Sequence, residues 1–182
     1  MKYTCYSGGA KGSDSYFEYE SIKNNIDVVA FSFDGHDTET ENVYILNKNQ
    51  LKEGFKHIEI ANLRLKRNIN NLPKYIKNLI SRDWFQVKMS DCIFAVGYLD
   101  VDNNVKGGTG YAIACAIDNK KPIYLFEQSS IIWYYYNYNT NNFDIFEGIP
   151  ILTKKFAGIG TRDINKYGIN AIKELFKVFK WF

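Results

Sequence analysis

Three short turns carry the residues of this sequence that are best suited to binding chemistry. They read Ser7-Gly8-Gly9-Ala10-Lys11-Gly12-Ser13-Asp14, Lys106-Gly107-Gly108-Thr109-Gly110 and Gly158-Ile159-Gly160-Thr161-Arg162. Glycines let a backbone approach a phosphate closely, and the N–H groups and dipole of a following helix favour an anion. An arginine at such a turn suits bidentate recognition of phosphate. The turns therefore predict a site for a phosphate-bearing ligand.

Each turn also has an ordinary structural explanation. A tight strand-to-helix turn can need glycine for its dihedral angles alone. Asp14 can cap a helix or accept a ribose hydroxyl, and Thr109 can cap a helix or donate to a ligand oxygen. Arg162 can simply bridge to the neighbouring Asp163. A ligand site is favoured over these explanations if all three turns meet at one edge of one sheet.

The elements that must position these turns alternate between strands and helices. Hydrophobic periodicity and β-branched content predict strands at 3–6, 28–33, 92–96, 123–126 and 156–159. Apolar residues at spacings of three and four predict helices at 13–24, 51–69, 73–87, 111–117 and 164–179. We expect the polar segment 34–49 to be a loop or irregular excursion, and 131–151 a loop with irregular strands.

This alternation indicates a Rossmann-like three-layer α/β fold, with a mostly parallel sheet flanked by helices on both faces. In such sheets ligands bind outside the carboxyl ends of the strands. No internal repeat or separating linker is visible, so we expect residues 1–182 to form a single domain.

The composition of the sequence limits the classes of binding partner, metal site and cellular location that we expect. The net charge of +3 is small and interspersed, which argues against nucleic acid or an anionic membrane as the main partner. Three cysteines at unrelated spacings fit a reducing compartment, and the two histidines show no metal-ligand spacing. The N-terminal residues lack the apolar core of a signal peptide. We therefore expect a cytoplasmic protein with no metal and no cofactor.

A resemblance to a known family follows from the middle of the chain. Arg82, the dipeptide Ser90-Asp91, the apolar run 92–96 and the glycines of the second turn resemble the core of the SLOG superfamily. That group includes the LOG nucleotide phosphoribohydrolases and nucleotide-sensing domains of bacterial defence proteins. The LOG pattern departs at three positions, where Lys106 replaces its proline, Tyr111 its threonine and Ala114 its catalytic glutamate.

The other two turns resemble the DprA/YspA-like members of the same superfamily. Those proteins begin with a strand, a Gly-Ser-Arg-Asp turn and a helix, followed by a strand ending in Ser-Gly-Gly-Ala-x-Gly-x-Asp. Here the second half of that pattern, 7–14, stands first, and the first half, 160–163, stands near the end. The chain thus looks like a circularly permuted SLOG domain, and strands 3–6 and 156–159 should be parallel neighbours.

The resemblance implies a domain that senses or sequesters a nucleotide-derived small molecule, such as a cyclic ADP-ribose-type signal. A free-standing domain of this kind suits a phage-encoded anti-defence protein acting in the host cytoplasm. We expect a homo-oligomer and assign no catalytic residue. Two alternatives stay open: a LOG-type nucleotide N-glycosidase, in which Asp14, Asp100 or Glu127 replaces the glutamate, and a non-catalytic oligomeric scaffold. The ligand-binding candidates are Ser7, Gly8, Gly9, Asp14, Arg82, Gly107, Gly108, Thr109, Gly110, Gly160, Thr161 and Arg162.

Overall fold

A computed structural model describes residues 2–38 and 40–179. Its eight strands are β1 (Thr4–Ser7), β2 (Asp27–Phe33), β3 (Val43–Leu46), β4 (Cys92–Gly97), β5 (Ile123–Glu127), β6 (Ile132–Asn137), β7 (Asn142–Ile145) and β8 (Lys155–Gly160). They form one sheet in the order β3-β2-β1-β8-β4-β5-β6-β7. The six strands from β3 to β5 in this order are parallel to one another, and β6 and β7 add an antiparallel hairpin at one edge.

Five helices cover the two faces of the sheet: α1 (Ser13–Lys23), α2 (Lys48–Leu65), α3 (Lys74–Met89), α4 (Thr109–Asp118) and α5 (Lys166–Phe179). Helices α1 and α5 pack on one face, and α2, α3 and α4 pack on the other. The predicted three-layer, Rossmann-like α/β architecture with a mostly parallel sheet is confirmed.

The central strands explain why the sheet is covered on both sides. Along β4, Phe94 and Val96 enter the core under α1 and α5, while Ile93 and Ala95 enter the core under α2, α3 and α4. Successive strand residues point to opposite faces, so a strand that is apolar throughout must be buried on both. All six residues of β4 are buried.

The strand order brings the three predicted turns to one place. The first turn follows β1, the third follows β8, and the second lies in the segment between β4 and α4. These three strands are parallel neighbours, so their carboxyl ends lie side by side. From β1 the chain moves outward through β2 to β3, and from β4 it moves the opposite way to β5. This reversal is the kind of switch point where open α/β sheets bind ligands.

Two segments are more regular than expected. The expected loop 34–49 contains β3, a four-residue edge strand whose Tyr44 and Ile45 are exposed. A strand this short, without alternating burial, leaves little periodic signal in the sequence. The segment 131–151 forms the hairpin of β6 and β7, in which aromatic side chains pair across the strands, as Tyr136 does with Phe143.

The predicted adjacency of the first and last strands is confirmed. Strand β1 pairs in parallel with β8, with Cys5 opposite Phe156. At the far end of α5, the ring of Phe179 packs edge-on against Tyr3, with ring centroids 4.7 Å apart. The end of the β8–α5 unit therefore lies beside the start of β1, which is the geometry that the permutation hypothesis requires.

This adjacency predicts that the β8–α5 unit can be moved to a position before β1 in the sequence without loss of the fold. A permuted chain that begins at the exposed Gly148, with the original ends joined by a flexible Gly/Ser linker, should keep β8 between β1 and β4. Its circular dichroism spectrum and cooperative urea transition should match those of the original chain. A control permutant opened between Phe94 and Ala95, inside buried β4, should not fold. Loss of cooperative unfolding in the first permutant would contradict the prediction.

Candidate functional site

A cleft of about 360 Å³ opens where the carboxyl ends of β1, β8 and β4 meet. This volume lies within the range of roughly 300–1,000 Å³ that is usual for small-molecule sites. The second turn, the third turn and α3 form most of its wall, and the first turn adds a smaller part. Its lining includes Ala10, Asp14, Arg82, Asp83, Lys106, Gly107, Gly108, Thr109, Gly160, Thr161 and Arg162.

Asp14 ties the first turn to the third. Its Oδ2 accepts a hydrogen bond from the N–H of Gly8 at 3.2 Å, and its Oδ1 accepts one from the N–H of Gly160 at 3.1 Å. The carboxylate is buried, although it lines the cleft. Asp14 therefore holds two turns together and occupies two N–H groups that a phosphate would otherwise use.

The start of α1 is fixed to the third turn by further contacts. Both the N–H and the Oγ of Ser13 donate to the carbonyl oxygen of Thr161, at 3.1 and 2.9 Å. Gly12 has a φ of +99°, and a Cβ there would lie 2.6 Å from the Cα of Arg162. This glycine is required by close backbone packing, so it carries no evidence of a ligand.

Four of the predicted ligand-binding residues lie outside the cleft, namely Ser7, Gly8, Gly9 and Gly110. Ser7 and Gly9 are covered by the segment that follows β2, because the hydroxyl of Ser7 and that of Thr40 both donate to the buried carboxylate of Glu18. Gly8 is covered from α3, since a Cβ there would meet Nε2 of Gln86 at 2.6 Å and the guanidinium of Arg82 at 2.7 Å. A Cβ on Gly9 would meet the Oγ1 of Thr38 at 2.4 Å. The glycines of this turn make room for protein contacts.

The backbone of the second turn is exposed at Gly107 and Gly108. Gly107 has a φ of +67°, which favours glycine, whereas Gly108 has ordinary helical angles, with a φ of −61° and a ψ of −38°. A Cβ at either position would have no heavy atom within 4 Å beyond its chain neighbours. At the start of α4, the N–H groups of Gly110 and Tyr111 donate to the carbonyl oxygens of Gly107 and Gly108, at 3.3 and 2.9 Å. The N–H groups of Gly108 and Thr109 have no hydrogen-bond acceptor among the described residues. The turn therefore presents these two free donors and open space.

Gly110 belongs to a different environment. It is absent from the cleft lining, and a Cβ there would meet the Nη1 of Arg67 at 2.8 Å. Arg67 donates from Nη1 to the carbonyl oxygen of Gly107 and from Nη2 to that of Val105, each at 2.7 Å. Arg67, which no sequence motif singled out, thus holds the second turn from behind, and Gly110 makes space for Arg67 and for the carbonyl oxygen of Val105.

Arg82 is buried, with 5% of its surface exposed, and it is already engaged by the protein. Its Nη1 donates to the carbonyl oxygen of Gly8 and lies 3.2 Å from Nε2 of His36. Since a guanidinium only donates, His36 must accept at Nε2 and donate from Nδ1 to the Oγ of Ser32, at 2.8 Å. Burial and the charges of Arg82 and Arg162 lower the pKa of His36 to about 4, so the ring is neutral near pH 7.

Arg162 is the exposed arginine of the cleft. It follows β8, lines the cleft and forms no ion pair with any residue in 2–38 or 40–179. Lys106, also exposed, lines the same opening from the second turn. These two side chains place free positive charge at the mouth of the cleft.

Two buried carboxylates face this positive charge, and one of them was not singled out from the sequence. Burial raises the pKa of Asp14 to about 6 and that of Asp83 to about 7, although Arg82 opposes both shifts. The Nε of Arg82 lies 3.7 Å from Oδ1 of Asp83. Asp83 is therefore the acid of the cleft whose protonation changes near neutral pH. Its position beside Arg82 on α3 was visible in the sequence, but its burial was not.

The other candidate substitutes for the missing glutamate lie elsewhere. Ala114 is buried and borders a smaller cavity of about 140 Å³. Glu127 accepts hydrogen bonds from the N–H and Oγ of Ser130, and Asp100 accepts from N–H groups of its own turn. Neither lines the cleft. Among the described residues, no group of three His, Cys, Asp or Glu side chains is placed to hold a metal ion.

Comparisons with known proteins provide evidence about the fold. A scan against models of protein families finds no match, and a search of curated proteins finds no significant match. The structure is similar to a crystal structure described as a candidate molybdenum carrier protein from Syntrophus aciditrophicus SB, with a TM-score of 0.55. The chains are 16% identical, and the match covers 96% of this chain and 94% of that one. The likeness shows a shared fold along nearly the whole chain.

Within residues 2–38 and 40–179, no helix combines the length and the apolar character that crossing a bilayer requires.

The raised pKa of Asp83 predicts a pH-dependent stability. An acid whose pKa is higher in the folded protein than in the unfolded chain takes up its proton on folding, so stability rises as the pH falls through that pKa. Between pH 8 and pH 6.5 the protonation of Asp83 should raise the free energy of unfolding by about 0.8 kcal/mol. Protonation of His36 in the unfolded chain should offset about 0.4 kcal/mol of this rise over the same range, so a net increase of about 0.4 kcal/mol should remain. Urea denaturation at several pH values measures this.

The matched variants are Asp83→Asn and Asp163→Asn. The first should flatten the pH dependence between 8 and 6.5, because it removes the buried titrating group. The second changes an exposed carboxylate of the same cleft and should leave the dependence as it is. An unchanged slope in Asp83→Asn would show that another group titrates.

Proposed function

We propose that this protein binds a small phosphate-bearing, nucleotide-derived ligand in the cleft and holds it without turnover. The observation that carries the proposal is Gly108. Its backbone angles suit any residue, and a Cβ there would have no heavy atom within 4 Å beyond its chain neighbours, so neither backbone conformation nor packing requires a glycine at this position. A glycine at such a site costs stability relative to alanine, because it loses more backbone freedom on folding. A ligand that approaches the backbone of this turn closely would explain why a glycine is present despite its cost in stability.

The charges of the cleft suit the same ligand. The N–H groups at the start of α4 and the helix dipole attract an anion at the second turn. Arg162 and Lys106 lie at the opening with no ion pair in the described ranges, so either can meet a phosphate without breaking an existing contact. Arg82 contributes long-range charge from its buried position and holds Gly8, which makes it a positioning residue in the free protein.

The wider assignment rests on the resemblance of the three turns. We propose that residues 1–182 form one permuted SLOG domain that senses or sequesters its ligand, such as a cyclic ADP-ribose-type signal, as an anti-defence protein of a phage would. We also propose that the protein is located in the cytoplasm and forms a homo-oligomer. The structurally similar protein is described as a candidate molybdenum carrier. Molybdate, a tetrahedral oxyanion, would use the same donors as a phosphate, so it belongs in the ligand panel.

An enzymatic alternative is favoured by one observation. Asp83 is a buried carboxylate in the cleft whose pKa is raised to about 7, close to the value that suits a general acid or base at neutral pH. In a nucleotide N-glycosidase it would take the place of the missing glutamate. Turnover that disappears in Asp83→Asn would support this alternative.

The first test is binding by the Gly108→Ala variant. Native mass spectrometry of the wild-type protein with nucleotides, ADP-ribose derivatives and molybdate should identify the ligand class and its stoichiometry. For the ligand that binds, Gly108→Ala should weaken affinity at least tenfold, because the methyl group occupies the approach to the turn. The same variant should be about 0.4–1 kcal/mol more stable, since alanine restricts the unfolded chain. Full affinity in Gly108→Ala would remove the basis of the proposal.

The second test concerns Arg162. The change Arg162→Ala should weaken binding by about 1.5–3 kcal/mol, the scale of a charge-assisted hydrogen bond. Lys166→Ala is the matched control, because Lys166 is an exposed cation at the start of α5 that does not line the cleft. Isothermal titration calorimetry gives both affinities. Equal losses in the two variants would indicate only a general charge effect.

The fate of the ligand separates binding from catalysis. After prolonged incubation and denaturation of the protein, the ligand should be recovered intact by liquid chromatography and mass spectrometry. Multiple turnovers to free base or ribose phosphate would establish the enzymatic alternative, and Asp83→Asn should then abolish them.

A further inference from the structure

A second concave surface lies against another face of α3. It is a groove of about 810 Å³, bounded by the end of β2, by β3 and by the first turns of α2 and α3. Lys74, Lys77, Asn78 and Ser81 face the groove, while Ile76, Leu79, Ile80 and Asp83 face the cleft. Both sets recur at the three- and four-residue spacing of a helix face. The two cavities have no lining residue in common, so the groove is a separate site.

Aromatic rings form the apolar wall of this groove. Tyr75, 45% exposed, packs edge-on against the buried ring of Phe33, with centroids 5.6 Å apart. Phe55 lies on the α2 side of the groove, partly buried. An exposed tyrosine that a neighbouring ring holds in place is a preformed surface for stacking another flat ring.

Positive charge surrounds these rings. Four lysines line the groove, Lys48, Lys52, Lys74 and Lys77, against one carboxylate among the described lining residues, Asp34. Lys77 is engaged, because its Nζ donates to the carbonyl oxygen of Asn70 and lies 5.6 Å from the ring centroid of Phe55. The other three form no ion pair within 2–38 and 40–179. The groove thus has an excess of unneutralised cations.

We infer that this groove binds a second ligand, a small organic phosphate that carries an aromatic ring, such as a nucleoside diphosphate. The ring stacks on Tyr75 and Phe55, and the phosphates lie among Lys48, Lys52 and Lys74. A purely inorganic anion would leave the rings unused, and an apolar molecule would leave the lysines unneutralised. The combination of rings and cations selects a ligand that has both parts.

The groove is also connected to the cleft by a short path of contacts. The ring of Phe33 stacks on His36 at a centroid distance of 5.2 Å, and His36 faces Arg82. A ligand that packs on Tyr75 therefore lies two side chains from the arginine of the cleft.

The experiment titrates the wild-type protein and its variants with ADP by calorimetry, using inorganic pyrophosphate and adenosine as the two halves of the probe. The double variant Lys48→Gln/Lys52→Gln removes charge from the groove, and its matched control is Lys56→Gln/Lys173→Gln, two exposed lysines outside it. Tyr75→Ala removes the stacking ring, and Tyr75→Phe keeps it. Arg162→Ala reports on the cleft alone.

ADP should bind at least tenfold more tightly than pyrophosphate or adenosine. Its affinity for the groove should fall at least fivefold in Lys48→Gln/Lys52→Gln and in Tyr75→Ala, and should be kept in the control pair, in Tyr75→Phe and in Arg162→Ala. If the cleft proposal is wrong, Arg162→Ala weakens no binding event, while the groove variants still weaken ADP binding, so the two proposals fail independently. The inference would be overturned if ADP did not bind, or if its binding were sensitive to Arg162→Ala alone. It would also be overturned if pyrophosphate bound as tightly as ADP, or if an acidic peptide bound more tightly and displaced ADP.

Discussion

The carboxylate of Asp14 is the contact on which the geometry of the cleft depends. It accepts the N–H of Gly8 and that of Gly160, and so joins the turns after β1 and β8. Burying a charge is costly, and burial raises the pKa of Asp14, an effect that the nearby Arg82 and the backbone N–H of Gly160 partly offset. Because these donors are used internally, the anion binding that we propose would depend on the second turn and on Arg162.

Much of the fold followed from local pattern. The strands of the parallel core were predictable because they are short apolar runs between glycines or polar turns, and their covering helices show clear periodicity. The adjacency of β1 and β8 followed from the order of the turn motifs. Strand β3 could not be foreseen, because what makes it a strand is pairing with β2, a contact with little trace in its own four residues.

The candidate site was predictable in part. Gly107, Gly108, Thr109 and Arg162 lie in the cleft because a turn after a parallel strand must lie at the carboxyl edge. Ser7, Gly8, Gly9 and Gly110 do not, because residues distant in the sequence pack against them. A local motif does not show which residues will cover it. His36 and Asp83 were missed as functional groups for a related reason: their altered pKa values come from burial, which depends on the whole tertiary structure.

The place of β8 has a consequence for how the chain folds as it leaves the ribosome. This strand is synthesised after all the others, yet it lies in the middle of the sheet, between β1 and β4. Until it emerges, β1 and β4 each present an unpaired edge, and the apolar face under α5 has no cover. Vectorial synthesis therefore yields two half-sheets, β3-β2-β1 and β4-β5-β6-β7, that only the last segment can join. Until residues 155–160 have emerged, such a nascent chain is exposed to misassociation.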